Sequence, residues 1–195
     1  LAKQPRDFVG AFRELPLRLR KLFVQAYQSF LFNKFLSERI RRGIPLNEAQ
    51  IGDYVVKLDD YGLPTTEFMQ LTSSSLQTVK EMLKEGKMRV AIPLVGFEQP
   101  PSQGVQGEIE KEILEAENVN PQNFRISFMP EVSAAGELRT ILEPVINLSV
   151  EEASNDSENP SKRKTKISFT LHRGSYATVL LREFMKPRNL IKSGF

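Results

Sequence analysis

Apolar residues are densest between Leu22 and Leu36, where ten of the fifteen positions are apolar or aromatic. A helix turns roughly 100° per residue, so these positions surround most of its circumference. Pro16 suits a first helical position and Gly43 suits a C-terminal stop. The pattern therefore predicts one long helix from Leu17 to Arg42, and we expect it to be mostly buried.

The polar side of this helix is narrow and uncharged. Gln25, Ser29 and Asn33 follow one another at intervals of four residues, and Gln28 lies beside them. An unpaired buried amide costs about 1 to 3 kcal/mol, so each of these groups needs a partner. Hydrogen bonds to neighbouring backbone are the commoner solution, and contact with a ligand is the alternative.

The middle of the chain alternates strand and helix patterns. A Pro- and Gly-containing stretch at 97–107 predicts a loop, and the glutamates after it are expected to form a solvated helix face. About a hundred residues are enough for a separate core, so residues 47–150 are predicted to form an α+β domain. The predicted strands are 53–59, 67–71, 88–95 and 138–146, and the predicted helices are 76–85 and 108–117.

The last third begins with a polar segment, 151–164, which contains no large apolar residue and is predicted to be a mobile connector. Residues 165–171 alternate apolar and polar side chains, as in a half-buried strand. A turn at 172–174 follows. Ser175 is then predicted to cap a helix that covers 176–186 and stops at Pro187.

Charge is unevenly distributed. Residues 1–45 carry ten Lys/Arg against three Asp/Glu, residues 46–160 carry eight against twenty, and residues 161–195 carry nine against one. Two basic ends around an acidic middle favour a polyanionic partner such as nucleic acid. Solvated surface charge is the simpler alternative for either end alone.

Composition excludes several kinds of chemistry. The chain has no cysteine and one histidine, so disulfides and thiolate metal sites are ruled out and a histidine-based metal site is not expected. The sequence contains no apolar run of membrane-spanning length, which predicts a soluble, cytoplasmic protein without a membrane partner.

Candidate phosphate contacts follow from the basic ends. Arg173 and Gly174 precede a predicted helix N-terminus, where free backbone N–H groups and a cation can bind an anion. Alternatively, Gly174 only permits a sharp turn. The predicted RNA-binding residues are Arg20, Lys21, Arg39, Arg173, Gly174, Ser175 and Arg182.

Two segments carry a resemblance to a known family. Residues 23–33, FVQAYQSFLFN, together with 36–40, LSERI, resemble the signature helix of the TruD family of tRNA pseudouridine synthases. Residues 174–183, GSYATVLLRE, resemble that family's C-terminal motif, and 136–139 is similar too. The resemblance covers the whole chain but only part of the family's protein, which suggests a piece of something longer.

The resemblance implies a fold and an activity. Residues 1–46 and 165–195 would be the C-terminal part of a pseudouridine-synthase catalytic domain, with its long buried helix, strand and helix, interrupted by an α+β insertion domain at 47–150. Such enzymes isomerise uridine in tRNA, here uridine-13 of the D-arm region, without metal or organic cofactor. Gln28, Ser29 and Asn33 would support the active site.

The resemblance also implies what this chain lacks. The family places its catalytic aspartate in an upstream Gly-x-Lys-Asp segment followed by Asn-x-Phe-Gly, and neither pattern occurs here. No catalytic residue is therefore assigned, and the chain alone is expected to be inactive. Its expected partners are tRNA and the missing N-terminal half. A noncatalytic RNA-binding module and an acidic protein-interaction domain with basic flanks are the alternatives.

Overall fold

The computed structural model describes residues 5–194 of the protein. The contacts divide the chain into two compact units, Leu1–Leu142 and Glu143–Phe195, called here the first and second units. Within the described residues, no helix combines the length and the apolar character needed to cross a bilayer.

The first unit starts with two helices. Helix α1 (Phe8–Arg13) is capped by Asp7, whose carboxylate accepts a hydrogen bond from the Gly10 amide at 2.7 Å. Helix α2 (Leu17–Arg41) follows Pro16 and has 25 residues. Gly43 lies just beyond it with φ +70°, a conformation that glycine adopts without strain. The predicted long helix is confirmed, although Pro16 lies at the N-cap and not at the first helical position, and the helix ends one residue before Arg42.

Helix α2 is less buried than its sequence predicts. Leu31 and Phe35 are fully buried, whereas Leu22 and Phe23 are 55% and 51% exposed. The reason is geometric, because in this chain the first unit packs sheet and helix against one side of α2 only. The expectation of a mostly buried helix is therefore wrong for the described chain.

The sheet of the first unit has four antiparallel strands in the order β2-β1-β3-β4. The strands are β1 (Tyr54–Leu58), β2 (Pro64–Gln70), β3 (Met88–Leu94) and β4 (Glu137–Thr140). The predictions for β1 and β3 are confirmed and β2 begins earlier than predicted. The strand predicted at 138–146 is divided, since β4 ends at Thr140 and the next strand begins at Ile146.

Two further helices complete the first unit, α3 (Leu76–Lys84) and α4 (Gly104–Ala116), with short 3₁₀ helices at Pro121–Phe124 and Pro130–Val132. Helix α4 starts earlier than predicted because the chain before β1 lies directly against it. A Cβ on Gly104 would come within 2.4 Å of the Ile51 carbonyl oxygen. Helix α2 packs on β3 and α4, and the core lies between them.

The second unit is a hairpin followed by a helix. Strands β5 (Ile146–Val150) and β8 (Ile167–Thr170) pair, and β6 (Ser154–Asn155) pairs with β7 (Arg163–Lys164). Helix α5 (Ala177–Met185) and a 3₁₀ helix at Ile191–Ser193 follow. The segment 151–164 therefore forms paired strands; that it is mobile stays a prediction, which limited proteolysis would check.

Candidate functional site

The polar residues of α2 do not share one environment. Gln28 is buried, and its side-chain amide donates a hydrogen bond to the Val95 carbonyl at 2.7 Å. This pairing confirms the backbone interpretation for Gln28. Ser29 is half-buried, whereas Gln25 and Asn33 are exposed. These three residues, called here the α2 stripe, present hydroxyl and amide groups at the surface of the described chain.

An aromatic surface lies beside the α2 stripe. Phe23, Tyr27 and Phe30 are exposed, and the Tyr27 ring stacks on Phe30 and on Phe124, with centroids 5.8 and 6.4 Å apart. A groove of about 320 Å³ opens here. Its lining residues are Phe23, Val24, Tyr27, Val119, Asn123, Phe124 and Ile126. Helix α2 thus exposes an apolar and a polar surface side by side.

The two predicted cations near the start of α2 differ in their availability. Arg20 is half-buried and donates to the Leu15 carbonyl at 3.0 Å and to Glu131 Oε1 at 2.7 Å. Arg13 also bonds to Glu131, at 3.3 Å. A hydrogen bond from its own backbone amide, and then these guanidinium groups, hold the pKa of Glu131 below its usual value. Lys21 is exposed.

Arg39 was predicted to contact RNA, and its position in the structure shows that this prediction is wrong. Its side chain is completely buried and forms a bidentate ion pair with Asp53, with Nη1–Oδ1 and Nη2–Oδ2 distances of 2.9 and 2.7 Å. Its Nε also donates to the Pro45 carbonyl at 3.2 Å. The charge of Arg39 is therefore neutralised inside the first unit, and its guanidinium is not a surface group.

The bonds of Arg39 continue into α4. Nη1 donates to Gln106 Oε1 at 3.1 Å, and Gln106 Nε2 donates to Glu110 Oε1 at 3.1 Å. The Ser102 amide donates to Glu110 Oε2 at 2.8 Å. Burial raises the pKa of Glu110, and hydrogen bonds from Ser102 and Gln106 oppose that shift. We call Arg39, Asp53, Gln106 and Glu110 the buried network.

The buried network is the feature that sequence reasoning missed. Glu110 was expected on a solvated helix face, but it is 1% exposed. A signal was present, because Gln106, Ile109, Glu110 and Ile113 follow the i, i+3, i+4, i+7 spacing of a core-facing helix stripe. Two polar residues within that stripe indicate paired buried groups.

The predicted anion site of the second unit lies after β8. Gly174 is exposed with φ +96°, and Arg173 is exposed beside it. The Ser175 amide donates to the His172 carbonyl at 3.1 Å, and Ser175 does not cap α5, whose N-cap is Tyr176. The predicted Ser175 cap is wrong by one position because the turn ends later. Arg182 is half-buried on α5.

Comparisons with known proteins identify relatives of this chain. The family model described as tRNA pseudouridine synthase D (TruD) matches residues 1–184. Curated relatives named "Probable tRNA pseudouridine synthase D" from Methanococcoides burtonii and Methanosarcina acetivorans are 38% and 40% identical to it. These matches cover 97% and 95% of this chain but 43% and 42% of the relatives.

A solved structure gives the same result. The crystal structure of a TruD protein from Methanosarcina mazei is 39% identical, with a TM-score of 0.87, over 96% of this chain and 43% of that one. This chain therefore spans less than half the length of the relatives that it matches. The resemblance of residues 23–33 and 174–183 and the α+β fold of a partial TruD domain are confirmed. The chain belongs to the TruD family of tRNA pseudouridine synthases.

Proposed function

We propose that the complete protein is a tRNA pseudouridine synthase that acts on uridine-13 of the D-arm region. In this isomerisation the bond from the ribose to the uracil nitrogen breaks, and the base is rejoined through carbon. The reaction has no net oxidation or reduction, and the family resemblance implies no metal or organic cofactor. The family match over residues 1–184 supports this reaction class.

The observation that carries the proposal is the position of the α2 stripe in the family's signature helix. Gln25 and Asn33 are exposed and Ser29 is half-buried, next to the exposed rings of Phe23 and Tyr27. Adjoining exposed aromatic rings are typical of a surface that contacts another polypeptide. In the proposal, the N-terminal half covers these rings and supplies the catalytic aspartate. Ser29 and Asn33, with Gln28 holding the backbone, then support the active site.

The proposed RNA contacts lie at the basic ends. Lys21 and Arg173 are exposed, and Gly174 and Ser175 offer backbone groups next to Arg173. Arg182 is a further candidate. Arg20 contributes less, because Glu131 already neutralises its charge. Arg39 is removed from this set, since its guanidinium is buried against Asp53.

Tritium release from tRNA labelled at carbon five of uracil tests the activity. The complete protein should release tritium and form pseudouridine at position 13 of the substrate tRNA, whereas the 195-residue chain alone should release none. Tritium release from a different uridine would support the assignment as a pseudouridine synthase but would contradict the assignment of uridine-13 as its target. Binding of tRNA without release by the complete protein would favour the noncatalytic RNA-binding module.

A further inference from the structure

Arg39 connects three segments of the first unit through directed bonds. Its guanidinium reaches the Pro45 carbonyl after α2, the Asp53 carboxylate before β1 and the Gln106 side chain on α4. Asp53 is held in turn by the Gln50 amide, which donates to its Oδ2 at 2.8 Å. The C-terminal half of α2 is therefore tied to both the sheet and α4.

The apolar contacts of α2 provide a less specific constraint. Leu31, Phe32 and Phe35 pack on the core and resist rotation through their shape, but apolar attraction itself has no direction. A guanidinium and a carboxylate joined by two parallel hydrogen bonds fix both distance and plane. Together with the hydrogen bond from Gln28 to the Val95 carbonyl, the buried network thus sets the rotation of α2 about its axis.

Stability does not account for this arrangement. Removing two charges from water offsets most of their attraction, and replacing a buried ion pair by apolar residues of similar volume is often neutral or stabilising. Both Arg39 and Asp53 are fully buried. What the pair supplies beyond apolar packing is a defined geometry.

That geometry acts on the α2 stripe. Gln25, Ser29 and Asn33 lie on the same continuous helix as Arg39. At roughly 100° per residue they occupy the face next to the one that carries Arg39, so a rotation of α2 moves both together. Catalysis is sensitive to such movement, because a displacement of about 1 Å from a distant substitution can lower a rate about a hundredfold.

We propose that Arg39 is a positioning residue of the synthase reaction: through the buried network it holds α2 in the rotation that presents Gln25, Ser29 and Asn33 to the active site. This inference rests on the proposed function. It assigns to Arg39 no contact with RNA or with the reacting atoms.

A double substitution in the complete protein separates positioning from stability. Arg39→Met with Asp53→Leu removes the bidentate pair and retains side-chain volume, so loss of the pair itself should cost little stability. The Pro45 carbonyl, the Gln50 amide and Gln106 each lose a partner, so we expect a moderate fall in Tm with the protein still folded. We expect kcat per folded enzyme to fall about 10- to 100-fold while KM for tRNA changes little, since the exposed cations are untouched. Arg39→Lys, which keeps the charge and loses the fork, should give an intermediate kcat.

The matched control is the exposed pair on α4, Lys111 and Glu115, whose side chains are 76% and 67% exposed. Lys111→Met with Glu115→Leu should leave kcat unchanged. A stable double variant at Arg39 and Asp53 with wild-type kcat would overturn the positioning role alone, as would wild-type kcat in Arg39→Lys if the double variant does not fold. An inactive wild-type protein would overturn the proposed function and this inference together.

Discussion

The two units enclose their apolar residues to very different extents. In the first unit Leu31, Phe35 and Ile92 are completely buried, whereas none of the described residues 143–194 is buried. Strand β8 of the second unit has the expected alternation, yet Ile167 and Phe169 are only half-buried. Correct local periodicity is therefore compatible with the absence of a closed core, and we expect the second unit to be unstable by itself.

The largest expected difference is in independent folding. A polypeptide of residues 5–142 should unfold cooperatively in urea, because it contains the whole core, whereas residues 143–194 alone should show no transition. Circular dichroism against urea concentration checks both. A cooperative transition of the second polypeptide would remove the basis of the comparison.

A third polypeptide, residues 47–150, tests the predicted insertion domain in the same experiment. If the insertion folds by itself, residues 47–150 should unfold cooperatively. Because Leu31 and Phe35 of α2 belong to the core, we expect a lower midpoint and a smaller slope for residues 47–150.

Side-chain truncation should repeat the contrast on a smaller scale. Phe35→Ala should destabilise the first unit by about 3 to 5 kcal/mol, because a fully buried ring leaves a cavity. Phe169→Ala should cost about 1 kcal/mol, since that side chain is only partly buried. Denaturant unfolding of the 195-residue chain measures both, and equal losses would contradict the comparison.

The pH dependence of stability should have opposite signs in the two units. Burial raises the pKa of Glu110 from 4.5, so its stability contribution is complete below that value and is lost as the pH rises through the folded pKa. Glu110→Gln should therefore raise Tm more at about pH 7 than at about pH 4. The negative charge of Asp53 adds to the rise in the pKa of Glu110.

Glu183 in the second unit is the carboxylate to compare with Glu110. Lys186 lowers the pKa of the exposed Glu183, so any stability from Glu183 is present above 4.5 and is lost as the pH falls. Glu183→Gln should not raise Tm near neutral pH. A Tm increase of equal size in both variants would show that burial is not the cause.

The smallest effect concerns RNA affinity in the complete protein. Arg173→Ala should flatten the slope of log affinity against log salt by roughly 0.7 to 0.9 and change stability by about 0 to 1 kcal/mol. Lys111→Ala, in the acidic middle, should change neither. Arg39→Ala should lower Tm and leave the salt slope intact. Equal slopes for Arg173→Ala and Lys111→Ala would mean that charge distribution does not locate the RNA surface.

Local signals were sufficient for most elements. Pro16 and Gly43 located α2, and β1 and β3 followed from dense apolar runs. The start of α4 was missed because it depends on a close approach between Gly104 and Ile51, which are distant in sequence. Glu110 was misplaced for a different reason. Its partners Gln106 and Ser102 are close in sequence, but the core-facing spacing that it shares with Gln106 and Ile109 was overlooked.

The candidate site shows what each level determines. The sequence by itself determined that residues 17–41 form a helix and that strands and helices alternate in the middle of the chain, because both properties depend on neighbouring residues. It also determined the family, since two motifs are each a continuous run of residues. Only the tertiary structure decided which side of α2 is buried, since apolar residues surround most of it. Arg39 and Arg41 are two positions apart, yet the first is completely buried against Asp53 and the second is 74% exposed. A charge can be buried only where a distant segment supplies its partner, and that partner is set by the fold.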